Sequence, residues 1–404
     1  MARWAHAIRL GWVVTGRVPG PDVDEFAEAT EVIAALARSQ HDGDTLLSVQ
    51  HPHRTPRSLA EGLSLAEALP AARQVLDRLR ASAYREVADV VAPYRVEGSD
   101  GVALGVLCLV DPAAVDARGM SWVRHSEEVY PQVVLERAAV LAGLGCATSA
   151  AMLVPVADGE RLTTAVMSSI DSLGAPAVST VDSGGRSHQL WLLGPGAGQD
   201  ALLGEVASSP LLVADGNHRM AAAAASERSG LLALVTAGPA LHIGAIYRVL
   251  VNTGLNCDDL AEAWRRVGLT VQAVSEPESP QRPGSVVVRA SGGDLLVTLP
   301  ASQPGEPVPR IDHGVVERLL IAAALGIDPE GPQVRAMPAG HPVGPHVDAV
   351  LELAPVPLSD VLAVHEQGRR MPRKSTYFTP KPRSGLLLAD LIGKAPQAGA
   401  AEPD

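Results

Sequence analysis

The stretch Leu211-Leu212-Val213-Ala214-Asp215-Gly216-Asn217-His218-Arg219-Met220, followed by five alanines from Ala221 to Ala225, sets the strongest limit on how this chain can fold. An apolar run enters Asp-Gly, and a strong helix former begins at once. That is the pattern of a buried strand, a tight turn and a helix N-terminus. Gly216 lets the backbone turn with no Cβ in the way. Asn217, His218 and Arg219 fall on the first helical turn, whose unpaired N–H groups carry partial positive charge, so the corner suits an anion. Arg219 adds a bidentate phosphate contact, and Asp215 beside it can hold Mg²⁺. The same residues also fit an ordinary Asp-Gly turn with a solvated arginine.

A chain of 404 residues predicts two or three domains with real cores. Apolar residues make up 47% and aromatic residues only 3%, so those cores must be built mainly from Ala, Val and Leu. The net charge of −12 argues against a nucleic-acid binder and fits a cytoplasmic protein. Cys108, Cys146 and Cys257 are far apart, and none forms a C-x-x-C pair, so they read as buried thiols. The start of the chain lacks the apolar core of a signal peptide. Leu231 to Val251 is the most membrane-like run, but Pro239, His242 and Arg248 interrupt it, so it reads as core strand and helix, with no membrane partner.

Alternating strand and helix patterns predict a mixed α/β fold, with units at residues 1–111, 112–250 and 251–394 and a disordered tail at 395–404. Helices are expected over Asp24–Arg38, much of Leu59–Val90, Pro131–Leu144, Gln199–Ala207, Cys257–Val267, Asp312–Leu325 and Leu358–Gln367. Strands are expected at Thr45–Val49, Tyr94–Val96, Val102–Val110, Met152–Val156, Ala165–Ser169, His188–Leu193, His242–Val251 and Val347–Leu353, with a hairpin over Val286–Leu299. His51-Pro52-His53 reads as a loop in preference to a metal site, because no third ligand follows nearby.

A second constellation lies near the end, from Arg369 to Gly385. Six basic residues fall between Gln367 and Ala389 without one acid. Prolines stiffen the segment, and Arg373-Lys374-Ser375-Thr376 groups two cations with two hydroxyls, which suits phosphate or carboxylate. The segment is expected to fold back onto the Asp215 corner and to bring Lys374 within reach of the anion held by Arg219. Truncation at Gln367 should then abolish binding and spare most secondary structure.

Three motifs together resemble the family called domain of unknown function 1015. They are Arg124-His125-Ser126-Glu127, Asp215-Gly216-Asn217-His218-Arg219, and the segment Met371 to Leu386; the resemblance spreads over residues 60–391. The same elements in the same order are similar to archaeal free-serine kinases of the ParB/sulfiredoxin-like superfamily. That resemblance implies a ParB-like core and transfer of a phosphoryl group from ATP or ADP, with Mg²⁺, to the hydroxyl of a free amino acid. It implies Glu127 as the base, or Glu128 under a one-residue shift. Asp215 would act in catalysis and hold metal. Gly216, Asn217, His218 and Arg219 would bind the nucleotide phosphates, with Lys374, Ser375 and Thr376 completing the pocket. This chain departs from the family pattern at Asn217 (elsewhere His), at Ser126, which separates His125 from Glu127, and at Arg373 (elsewhere Pro). A nucleotide-binding regulator in the ParB manner and a catalytically silent protein are the competing readings.

Overall fold

The computed structural model describes residues 4–26, 29–39, 44–226, 230–301, 308–341, 343–344 and 346–391. The tail expected to be disordered lies outside them. The chain forms two compact α/β units. One comprises the residues up to His125, Val129–Leu241 and those from Pro380 on; the other comprises Ser126–Glu128 and His242–Thr379.

In the first unit a nine-stranded mixed sheet runs Val123–Arg124, Leu211–Asp215, Ala151–Pro155, Leu231–Ala240, Gly101–Val110, Ala92–Gly98, Ser187–Leu190, Val178–Val181, and Ala5–His6 pairs beside Gly101–Val110. Leu211–Asp215 sits between a parallel and an antiparallel neighbour; Leu211, Leu212 and Val213 point to alternate faces and are all fully buried, so the strand is covered on both faces. A second, four-stranded sheet runs Tyr84–Val90, Ile8–Val14, Leu387–Asp390, Cys146–Ala147. Leu387, Leu388 and Ala389 are buried in its middle. Truncation at Gln367 would therefore remove an interior strand and should unfold the unit, contrary to the expectation that secondary structure survives it.

The second unit is built on a six-stranded antiparallel sheet, Thr270–Val274, Gly293–Thr298, Ser285–Ala290, Val347–Glu352, Ile246–Val251, Val334–Pro338. Its core joins that sheet to the helix Cys257–Arg266 through Leu260 and Trp264, both fully buried. Asn256 caps the helix by accepting from the N–H groups of Asp258 and Asp259. His242–Gly244 and Tyr377–Thr379 make a separate two-stranded ribbon.

Several local expectations need correction. Thr45–Val49 is not a strand: Thr45 Oγ1 accepts from Ser48 N–H at 3.2 Å and starts a helix at Leu46–Gln50. A short apolar run is ambiguous by periodicity, and the cap decides it. Ala165–Ser169 belongs to the helix Gly159–Leu173, which buries Leu162 and Val166, an i,i+4 pair. The helix within Leu59–Val90 ends at Ala83, and Tyr84–Val90 is a strand. Asp312–Val315 begins as an α-helix but widens into a π-helix over Val316–Ala323. The Leu231 run is strand, and no helix among the described residues is long and apolar enough to cross a membrane.

Candidate functional site

In the first unit the Asp-Gly corner forms as its residues dictate: strand Leu211–Asp215, Gly216 at φ 97°, then helix Asn217–Ala225. A bulge between Val213 and Asp215 shifts the register against Ala151–Pro155 just before the turn. Such bulges re-aim the residue that follows them. A Cβ on Gly216 would lie 2.7 Å from Arg219 Nε and 3.1 Å from Ala151 Cβ, so at this left-handed φ any side chain is strained and displaces Arg219. Arg219 donates from Nη2 to Asp215 Oδ2 and from Nη1 to Ser149 Oγ. Its buried Nε has no partner among the described residues. Lys381 Nζ donates to the other oxygen of Asp215, at 2.7 Å. One carboxylate thus lies between two cations at a helix start, and the local charge remains positive.

The neighbouring motif residues are held by contacts within the same unit. Asn217 is buried, and its Oδ1 lies 3.2 Å from His125 Nδ1. The residue that stands for a histidine in the Asp-Gly motif therefore meets the histidine of the Arg124-His125 motif. His218 Nε2 accepts from Tyr130 N–H at 3.0 Å, and the two rings stack at 5.8 Å. Tyr130 is the N-cap of helix Pro131–Leu144, so His218 ties that helix start to its own.

The end of the basic segment is anchored here too. Ser384 N–H donates to Asp22 Oδ2 at 2.7 Å, and Arg383 pairs with Asp22 and Glu25. Arg383 N–H donates to Tyr94 Oη at 3.3 Å; Tyr94 Oη lies 2.6 Å from His188 Nδ1, and His188 Nε2 lies 3.0 Å from Asp182 Oδ2. These roles close when a neutral His188 carries its proton on Nε2; burial lowers its pKa, against the opposing pull of Asp182. Within this unit the segment reaches the Asp215 corner through Lys381.

In the second unit Met371 pairs with Glu127, and its N–H donates to Ser126 O at 2.8 Å. Glu127 Oε2 accepts from Lys374 N–H at 3.2 Å, and Oε1 accepts from Thr376 Oγ1 at 3.0 Å. Burial pushes the Glu127 pKa above the usual carboxylate range, against the opposing pull of the Lys374 charge and these hydrogen bonds. Lys374 has a positive φ of 51° and an exposed side chain. Ser375 is fully buried and donates to Pro372 O at 2.7 Å, a role in the turn itself. Glu128 is mostly exposed and lies 3.5 Å from Arg373, which also pairs with Glu330. Environment therefore separates the two glutamates: one carboxylate is desolvated and oriented, the other is a solvated ion-pair partner.

The donor set does not fit a protein-held divalent ion at Asp215. Both its oxygens face cations, and among the described residues no three His, Cys, Asp or Glu groups gather to hold a metal. Sequence reasoning missed Lys381, Ser149 and Arg248. Lys381 stood inside the basic segment, where its flanking prolines marked a fixed position; Ser149 and Arg248 carried no local signal.

The sequence profile of a family of proteins of unknown function, DUF1015, matches residues 71–313, and the chain belongs to that family. No match is found among curated proteins. Three solved structures are similar at low identity. SbnI with a C-terminal truncation, from Staphylococcus aureus, is 12% identical with a TM-score of 0.41, covering 73% of this chain and 90% of that one. A free serine kinase in complex with AMP is 12% identical with a TM-score of 0.38, covering 69% and 92%. A conserved hypothetical protein from Pyrococcus furiosus is 10% identical with a TM-score of 0.36, covering 69% and 95%.

Proposed function

We propose that the protein is a nucleotide-dependent phosphotransferase whose acceptor is the hydroxyl of a small molecule of the free-serine class. Arg219, Lys381 and the start of helix Asn217–Ala225 take the phosphate-holding role. Glu127 takes the role of the base. Phosphoryl transfer needs charge neutralisation and one positioned proton acceptor, and little covalent chemistry from the protein.

The observation that carries this reading is the state of Glu127. Its carboxylate is desolvated, its pKa is raised by burial, and its two oxygens are oriented by Lys374 N–H and Thr376 Oγ1. A general base works best when its pKa lies near the operating pH, and burial moves a carboxylate that way. Accepting the acceptor's proton sharpens the attacking oxygen. The ParB-like character of the fold and a cytoplasmic setting belong to this same reading. So does magnesium, which would arrive on the nucleotide and not in a protein cage.

Incubation with ATP or ADP, Mg²⁺ and L-serine, followed by mass detection of phosphoserine, tests it. Formation of phosphoserine is expected. A second reading, nucleotide binding without transfer, draws on the engagement of Asn217 with His125 and of Asp215 with two cations. Calorimetric binding of ADP with no product from serine would favour that one.

A further inference from the structure

Arg248 lies inside the six-stranded sheet, on strand Ile246–Val251, and is only 2% exposed. A buried guanidinium is costly unless its donors are met. Here Nη1 donates to Lys374 O at 3.0 Å, Nη2 to Arg373 O at 2.9 Å and Nε to Glu317 Oε1 at 2.8 Å. Glu317 is carried on the widened π-helical turn, an irregularity that tends to mark functional positions.

Two consecutive carbonyls face opposite sides in extended chain and one side only where the residue between them is helical. Lys374 meets that requirement in the left-handed sense, with φ 51°, a region that residues with a Cβ rarely adopt. The same turn sends its N–H groups the other way. Lys374 N–H donates to Glu127 Oε2, and the Ser375 main chain also donates to that carboxylate. Successive N–H groups in such a turn form a concave seat for an anion. Arg248 therefore grips the carbonyl side of two peptides whose N–H side holds Glu127, and the peptide dipoles lie between the cation and the carboxylate. Burial and the Arg248 charge hold the adjacent His313 neutral, so it adds no charge beside the grip.

We infer that Arg248 is a positioning residue for Glu127, acting through the main chain of Arg373 and Lys374. The inference deepens the phosphotransferase reading and rests on it for its catalytic meaning. The fork geometry is what matters, so a lysine that keeps the charge cannot replace it.

The experiment follows the Glu127 side-chain carboxyl and the amides of Lys374 and Ser375 by NMR in the full chain. Arg248→Lys should move both amide resonances and shift the Glu127 titration to higher pH, because hydrogen bonds to its charged form are lost. Serine turnover should fall about tenfold, the size of one charge-assisted hydrogen bond, with ADP affinity kept. An unchanged titration and unmoved amides would overturn the inference. Should Arg248→Lys fail to fold, Glu317→Gln loosens the same grip from the more exposed side; the same displacements are expected, and their absence is equally fatal. The spectra need no turnover. A wild-type protein that makes no phosphoserine would reject the kinase reading and leave this inference to be decided by the spectra alone.

Discussion

Lys381 Nζ stands 2.7 Å from Asp215 Oδ1, although 166 positions separate the two residues. The opposite oxygen of the same carboxylate takes Arg219. Asp215 thereby spaces two cations that would otherwise repel; under the proposed reading both meet the nucleotide phosphates at the helix start. Lys381→Ala should weaken ADP binding about tenfold to a hundredfold, the range for a charged hydrogen bond. Calorimetry with circular dichroism as a folding control checks this. Unchanged affinity would leave the pair a purely structural contact.

Arg219→Ala is expected to cost about 1.5–3 kcal/mol of nucleotide affinity. Arg219→Lys should recover little, because one ammonium cannot serve Asp215, Ser149 and a phosphate in the same fork. Recovery of full affinity by lysine would show that charge alone matters at this corner.

Gly216→Ala should lower stability by about 1–3 kcal/mol, the cost of a left-handed residue with a side chain. The strain comes from φ 97° and from the near contacts with Arg219 and Ala151. Urea denaturation reads it, and a stability equal to wild type would contradict the turn geometry.

Stability should also fall in acid. Burial, reinforced by Arg137, Arg54 and His53, pushes the His51 pKa down to about 3; burial and Arg248 push that of His313 to about 3. The unfolded chain takes up these protons below its ordinary value of 6.5, while the folded chain does so only near 3. Their contribution is fully present above pH 6.5 and is lost as the pH falls toward 3. Denaturation at pH 7 and pH 4.5 should show the drop, and His313→Gln should make it shallower. An equal drop in the variant would remove His313 from the account.

The corner was legible in the sequence because it is local. Apolar run, Asp-Gly and helix former fix the strand, the turn and the helix within fifteen consecutive positions. Glu127 was legible as part of a motif, but the difference between its surroundings and those of Glu128 was not. Only pairing with Met371 and the turn at Lys374 desolvates one glutamate and leaves its neighbour in water. The basic segment looked unpartnered because its acids, Asp22, Glu25, Asp215 and Glu330, come from distant positions. The interior position of strand Leu387–Asp390 has no local signal, since nothing nearby in the sequence shows that Ile8–Val14 and Cys146–Ala147 pair on either side. Thr45–Val49 is helical for a simpler reason: five residues carry too little period to outweigh one capping hydroxyl.

The most direct test compares wild type with Glu127→Gln in the ADP or ATP, Mg²⁺ and L-serine incubation, with ADP affinity measured on both proteins. Glutamine keeps the shape and can still accept from Thr376, but it cannot take a proton. The account predicts phosphoserine from wild type, a loss of about a hundredfold to ten-thousandfold in the variant, and closely similar ADP affinity. Phosphoserine formed by Glu127→Gln at the wild-type rate would contradict it.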